Sequence, residues 1–213
     1  MQLNPDAFNR HLNNLGQQFL WRRAFRCPCA NQYSGAADPS CPQCSGKSWL
    51  WIDPVSAVAG MSSQKSQLKW AQFGLWQDGD AVVTVGSDSP MYGMGQFDRV
   101  TMLNNTTQFS LNLTRGGVNE KLSDPIKSVT RVFWLDGNSS IVDGSLPTVG
   151  ADGSLIWPAS NSPPQGTMYS ISGVRFNEYF CWGPFPSERG EHQGALLPKR
   201  VVLRRFDLFG RDA

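Results

Sequence analysis

Four of the five cysteines lie between Arg26 and Trp49, as Cys27, Cys29, Cys41 and Cys44. Their order is C-x-C, eleven residues, C-x2-C. Two close pairs of thiols on either side of a loop can offer four soft ligands to one tetrahedral ion, the arrangement zinc prefers. The second pair, in "CPQCSGKSW", is the more usual: two intervening residues let both sulfurs turn to one point, and Gly46 lets the chain fold back tightly. The first pair is tighter than the usual spacing of two to four residues. Side chains two apart on a strand share a face, but a straight run through Cys27-Pro28-Cys29 does not bring two sulfurs onto one ion, so the chain must bend at Pro28.

Other thiol chemistry fits less well. A disulfide pair suits an exported chain, and "MQLNPDAFNRHL" has neither a basic start nor an apolar run, which reads as a chain made in a host cytoplasm without an export signal. A redox C-x-x-C opens a helix after a strand, whereas this one runs into Gly46 and a short apolar strand. Iron–sulfur spacings differ. Zinc is therefore the expected ion, one per chain. Four cysteines close its shell, where a catalytic zinc keeps one position for water, so its expected role is to tie down a loop. Cys181, in "FNEYFCWG", reads as a buried, inert thiol.

Catalytic candidates are few. His11 has no ligand partner four residues on. His192 stands in "RGEHQG" beside Glu188 and Glu191, and a Glu–His pair can do acid–base work. No G-x-S-x-G, Walker loop or H-E-x-x-H occurs, and "GMGQFD" lacks the third glycine of a dinucleotide site. Asp78, Asp136, Asp143 and Asp152 each precede a glycine, which is turn chemistry.

Charge is unevenly placed. Residues 1–26 carry four arginines and one aspartate, residues 195–213 are net +3, and the stretch between is net −4. Arg22, Arg23 and Arg26 beside the cysteines, and Arg200, Arg204 and Arg205 in "LPKRVVLRRFDLFG", are the candidate contacts to an ionic partner or to DNA. Their plain structural roles are a helix end and a solvated strand face, with Arg200, Val202 and Arg204 on one side of an edge strand.

The elements that must carry these residues read as mainly β. Phe8, Leu12, Leu15 and Phe19 recur at helical steps and predict one helix over residues 6–23, weakened at Gly16. After the cysteines the pattern predicts strands at 48–52, 81–85, 99–103, 109–113, 128–135, 154–157, 169–180, 201–203 and 206–208, with a turn or two of helix at 66–73. With 21 glycines and 14 prolines, turns should be frequent. Residues 138–165 read as a long loop. The expected architecture is an antiparallel β-sandwich or barrel: an arm over 1–53, made of the helix and the zinc knuckle, and a β body over 54–213. No apolar run is long enough to span a membrane.

With the "CPC…CPQCSGKSW" knuckle, the short N-terminal helix, the β body and the closing "LPKRVVLRR" strand together, the chain resembles the zinc-bearing neck or collar proteins of contractile-tailed phages. The resemblance spans roughly the first 55 and the last 20 residues. It implies a non-enzymatic virion protein of the head–tail connector. Copies would form a ring about the DNA channel, between portal or adaptor proteins and tail proteins, with genomic DNA passing through. Of the site residues it carries over only Cys27, Cys29, Cys41 and Cys44, as zinc ligands. The abundant Trp and Phe would then serve subunit contacts. Two other classes are weighed against it: a zinc-containing nucleic-acid-binding module centred on Arg22, Arg23 and Arg26, and a hydrolase using Glu191 and His192.

Overall fold

The computed structural model describes residues 4–62, 64–72, 77, 79–118, 120–185 and 190–210. It is mainly β, with one large antiparallel sheet and an N-terminal helix, as the alternating pattern predicts. The chain forms two compact units, residues 1–104 with 178–213 and residues 105–177. The sequence expectation had placed its boundary after residue 53.

In the first unit, helix α1 (Pro5–Leu15) starts where Asn4 Oδ1 accepts the N–H groups of Asp6 and Ala7, with Pro5 in the first turn. It stops at Gly16, which is extended; a Cβ there would lie 2.4 Å from Val58 Cγ1 and 2.5 Å from the Leu12 carbonyl oxygen. The expected single helix over 6–23 is therefore corrected. Of the stripe residues that lie on α1, Phe8 and Leu15 are 44% and 70% exposed and Leu12 is buried. Phe19 instead belongs to strand β1 (Gln17–Arg26), and pairing with two neighbouring strands overrides the local helical spacing. Arg22, Arg23 and Arg26 consequently lie on a strand, not at the negative end of a helix dipole.

Strand β2 (Trp49–Met61) returns antiparallel to β1, from Arg26↔Trp49 to Gln17↔Ala59. The residues expected to form an arm are thus two strands of the sheet joined by a 22-residue loop, 27–48, that holds the cysteines. Opposite Arg22, β2 carries two residues, Asp53 and Pro54, in a bulge with Asp53 at φ 53°. A bulge is where a strand tolerates a proline, because the missing N–H costs no ladder bond.

The order continues with α2 (Gln64–Gln72), β3 (Ala81–Val85), a 3-10 turn at Pro90–Gly93 and β4 (Arg99–Thr114). In the second unit and beyond follow β5 (Ile126–Leu135), β6 (Ile141–Asp143), β7 (Thr148–Val149), β8 (Leu155–Ile156), β9 (Met168–Pro184), β10 (Glu191–His192), β11 (Ala195–Leu196) and β12 (Lys199–Arg205). The two expected strands at 99–103 and 109–113 are one, β4, and the expected strand at 206–208 is a 3-10 turn. The end of the helix expected at 66–73 falls on Phe73, outside the described residues.

Strand neighbours run β12-β3-β2-β1-β4-β9, and β12 also pairs with β9, so these six strands close into a barrel. Alternation fills its interior with Phe19, Ala59, Val83, Val85, Val100, Met102, Cys181 and Leu203. Val82 and Val202, one residue out of step, pack outside against Trp70 and Phe185. Because β12 pairs on both sides, it is not the edge strand that its alternation predicts.

In the second unit, β5 lies between β9 and β6, and β5 turns into β6 through Asp136, whose Oδ1 accepts the N–H groups of Asn138 and Ser140. Phe109, Leu122, Val132, Trp134, Tyr169 and Ile171 form its core. Residues 138–165, read as a loop, contain β6, β7 and β8. Glu120 ties this unit together: its carboxylate accepts Trp157 Nε1 (2.8 Å), the Tyr169 hydroxyl (2.9 Å), the Gly116 N–H (2.7 Å) and Arg115 Nη1 (3.2 Å).

Candidate metal centre

Residues 27–48 are held by turns. The β1–β2 ladder ends with the Cys27 N–H donating to the Ser48 carbonyl at 2.9 Å. Ala30 N–H then donates to the Cys27 carbonyl at 2.9 Å, a β-turn with Pro28 at its second position. This is the bend that C-x-C requires: it swings Cys29 round so that both sulfurs face one side. In the second pair, Ser45 N–H donates to the Cys41 carbonyl and Lys47 N–H to the Cys44 carbonyl. Ser45 and Gly46 have φ of 49° and 78°, the left-handed turn that Gly46 was expected to permit. Asp38 Oδ1 accepts from the N–H and hydroxyl of Ser40 and fixes the approach to Cys41.

The result is a cluster of four sulfurs, all within 4.8 Å of one another. Cys27 and Cys41 are 3.8 Å apart and Cys29 and Cys44 3.5 Å. Bonds of about 2.3 Å from a tetrahedral ion to four sulfurs demand edges of about 3.8 Å, so the cavity suits such an ion. All five cysteines are free thiols, and 3.5 Å is far beyond a disulfide bond of about 2.05 Å. Cys27 and Cys44 are buried.

Local electrostatics already favour one thiolate. The N–H groups of Cys44 and Gln43 point at the Cys41 sulfur and hold its thiol down to about 7. Cys29 receives the Asp38 N–H, but its neighbouring sulfurs and burial push it up to about 12. Cys27 is raised as well: burial and the sulfurs of Cys44 and Cys41 outweigh the Cys29 N–H. Four thiolates cannot coexist here without a cation between them. With a divalent ion the set carries net −2, and Arg26 and Lys47, which flank the two pairs in sequence, supply opposite charge.

The loop is anchored by rings. Arg26 lies over Trp49 (4.8 Å) and Trp49 meets Phe97 (5.0 Å). Lys47 lies over Phe206 (4.7 Å), and Phe206 and Phe209 pack edge-on against Trp51 (5.1 and 5.4 Å). The C-terminal segment therefore closes against the foot of the cysteine loop. Nothing in the sequence signalled this, because the partners are about 150 residues apart.

The candidate arginines divide. Arg23 and Arg26 are exposed. Arg22 is half-buried, with Nη1 donating to Thr101 Oγ1 at 3.1 Å. Arg200 lies over Phe185 (5.0 Å), and Arg205 is paired with Asp207 (2.6 Å) at the surface. Arg204 is enclosed. Its Nε and Nη2 donate to the two oxygens of Asp80 at 3.1 and 3.2 Å, and its guanidinium lies 4.0 Å from the Trp182 ring centre. With side-chain exposures of 3% and 0% the pair is internal, and Arg204 does not present its charge to a partner. Glu191 and His192 occupy adjacent positions on β10, paired with Leu196 and Ala195, so their side chains leave opposite faces of a two-stranded ribbon. Glu188 lies outside the described residues.

Fold and site together define a mainly β protein with a four-cysteine cluster that can hold a metal ion. No protein-family model matches the chain, and no curated protein matches it. No helix among the described residues is long and apolar enough to cross a membrane.

Proposed function

We propose that this chain is a structural protein of the phage head-to-tail interface, and that Cys27, Cys29, Cys41 and Cys44 hold one structural zinc. The observation that carries the reading is the closed sulfur shell at the tip of the β1–β2 hairpin. Four protein ligands leave no coordination site for water or substrate, so the ion's work is to fix a 22-residue loop that has no core of its own. A protein whose function lies in its surfaces needs such a loop held in one shape. Exposed apolar side chains add support: Leu135 and Ile141 are direct cross-strand partners at the β5–β6 end, 56% and 60% exposed. Copies arranged by rotation about the DNA channel would cover such surfaces against portal and tail proteins.

The hydrolase reading draws no support from two residues on opposite faces of a ribbon. The test is localisation. Antibody raised against the chain should label the portal vertex of tailed-phage particles that carry it, at the neck; label confined to the capsid or tail tip, or absent from particles, contradicts the proposal.

A further inference from the structure

On the outer wall of the barrel, β1 and β4 set two arginines directly opposite one another, Arg22↔Arg99. Like charges so placed repel, and a protein keeps them together only where something anionic intervenes. One carboxylate does. Glu178 of β9 accepts Arg99 Nε at 3.0 Å and its Nη2 in a closer contact, taking up the Arg99 fork. Thr101 donates its hydroxyl to Glu178 Oε1 at 2.9 Å and accepts Arg22 Nη1 at 3.1 Å. Arg22 therefore reaches Glu178 only at 3.9 Å, through a spent acceptor.

The remaining N–H groups of Arg22 have no partner among the described residues, and its side chain is 24% exposed. Lys47 and Arg99 share the ring of Phe206 (4.7 and 4.1 Å), which adds positive charge beside the pair. The Asp98 carboxylate is turned to Trp21 Nε1, the Ala24 N–H and the Gly95 N–H. Desolvation first, then Arg99, depresses the Arg22 guanidinium, which is the signature of a cation held short of counter-charge.

We infer that Arg22, oriented by Thr101 and backed by Arg99, is the seat of a phosphate oxyanion. A planar guanidinium with one N–H engaged and the rest without a partner among the described residues is matched to two oxygens of a phosphate. Exposed Arg26, four residues along the same strand and on the same face, extends the positive field towards the cysteine loop. The seat stands on barrel geometry alone and does not depend on the chain being a phage protein.

The test uses the whole chain and inorganic phosphate against chloride at matched ionic strength, read as melting temperature. Phosphate stabilises most proteins slightly by exclusion, so the difference between variants is the readout. The wild type should gain steadily with phosphate. Arg22→Ala should melt no lower than the wild type in phosphate-free buffer, since it removes a repulsion, yet lose about tenfold or more in phosphate affinity. Arg22→Lys, with charge but no fork, should fall between. Fluorescence anisotropy with a short labelled single-stranded DNA then separates sources. Binding that weakens in Arg22→Ala assigns the seat to backbone phosphate; DNA binding unchanged by the substitution, alongside an Arg22-dependent phosphate response, assigns it to a small anion. An equal phosphate response in wild type and Arg22→Ala, or an Arg22→Ala protein that melts well below wild type without phosphate, overturns the inference.

Discussion

At the scale of single residues, two carboxylates, the buried Asp80 and the half-buried Glu120, decide more than the exposed charges do. Asp80 has zero side-chain exposure and answers Arg204, Trp70 Nε1 and the Gln77 N–H. Removing it takes away both oxygens to which the enclosed Arg204 guanidinium donates, so Asp80→Ala should cost about 3–5 kcal/mol in chemical denaturation. A change under about 1 kcal/mol would show the pair to be less enclosed than its geometry implies. Glu120 offers a pH test. Burial alone would raise its pKa, but the Gly116 N–H, Tyr169, Trp157 and Arg115 outweigh it and the folded value is lowered. A depressed carboxylate contributes its stability in full above the unfolded value of about 4.3 and loses it as pH falls through the folded value. Glu120→Gln should therefore lower the melting temperature at neutral pH, and the gap from wild type should shrink below about pH 4. A gap constant with pH would contradict that account. Neither carboxylate was legible in the sequence, where aspartates read as turn residues. The partners that enclose them include residues far off in the chain, Arg204 for Asp80 and Trp157 and Tyr169 for Glu120, and a single sequence does not display such pairings.

At the scale of elements, periodicity succeeded where one face is buried and failed where the spacing was ambiguous. Strand β3 was read at its bounds, β5 to within two residues, and β9 from its second residue but four residues short of its end. The N-terminal segment misled because Leu12 and Phe19 are both buried and seven apart, which suits a helix, although Gly16 separates a helix from a strand. The cysteine loop was the most legible element, since ligand spacing is local and its turn residues, Pro28 and Gly46, stand beside the ligands. What spacing could not give is the docking of Phe206 and Phe209 at its foot. That docking predicts a coupling. Removing metal with a strong chelator should speed proteolysis within residues 27–48 and also at the segment after β12, because Lys47 and Trp49 lose their fixed positions. Cleavage rising in the loop alone would show the two to be independent.

At the scale of the whole molecule, the barrel and the cysteine cluster were anticipated as a class, while the division into two units was not. The chain leaves the first unit within β4 and returns within β9, so no linker composition marks the boundary. If the exposed Leu135–Ile141 pair serves assembly, changing Ile141→Asp should leave the melting temperature of the isolated chain within about 1 °C or two, as surface substitutions usually change stability by no more than about 0.5 kcal/mol. Incorporation into particles should drop sharply. Normal incorporation would move the contact elsewhere.

The central claim is that the four thiolates form a closed, structural zinc shell. An ion bound this way supplies on the order of 10 kcal/mol of apparent binding free energy at neutral pH, enough to decide whether the loop is folded. Native mass spectrometry of protein produced in zinc-supplemented medium measures this most directly, combined with thiol alkylation before and after acid release. The account predicts one zinc per chain, with the four loop cysteines protected until the metal leaves. A metal-free mass, with all four alkylated at once in the folded protein, would contradict it.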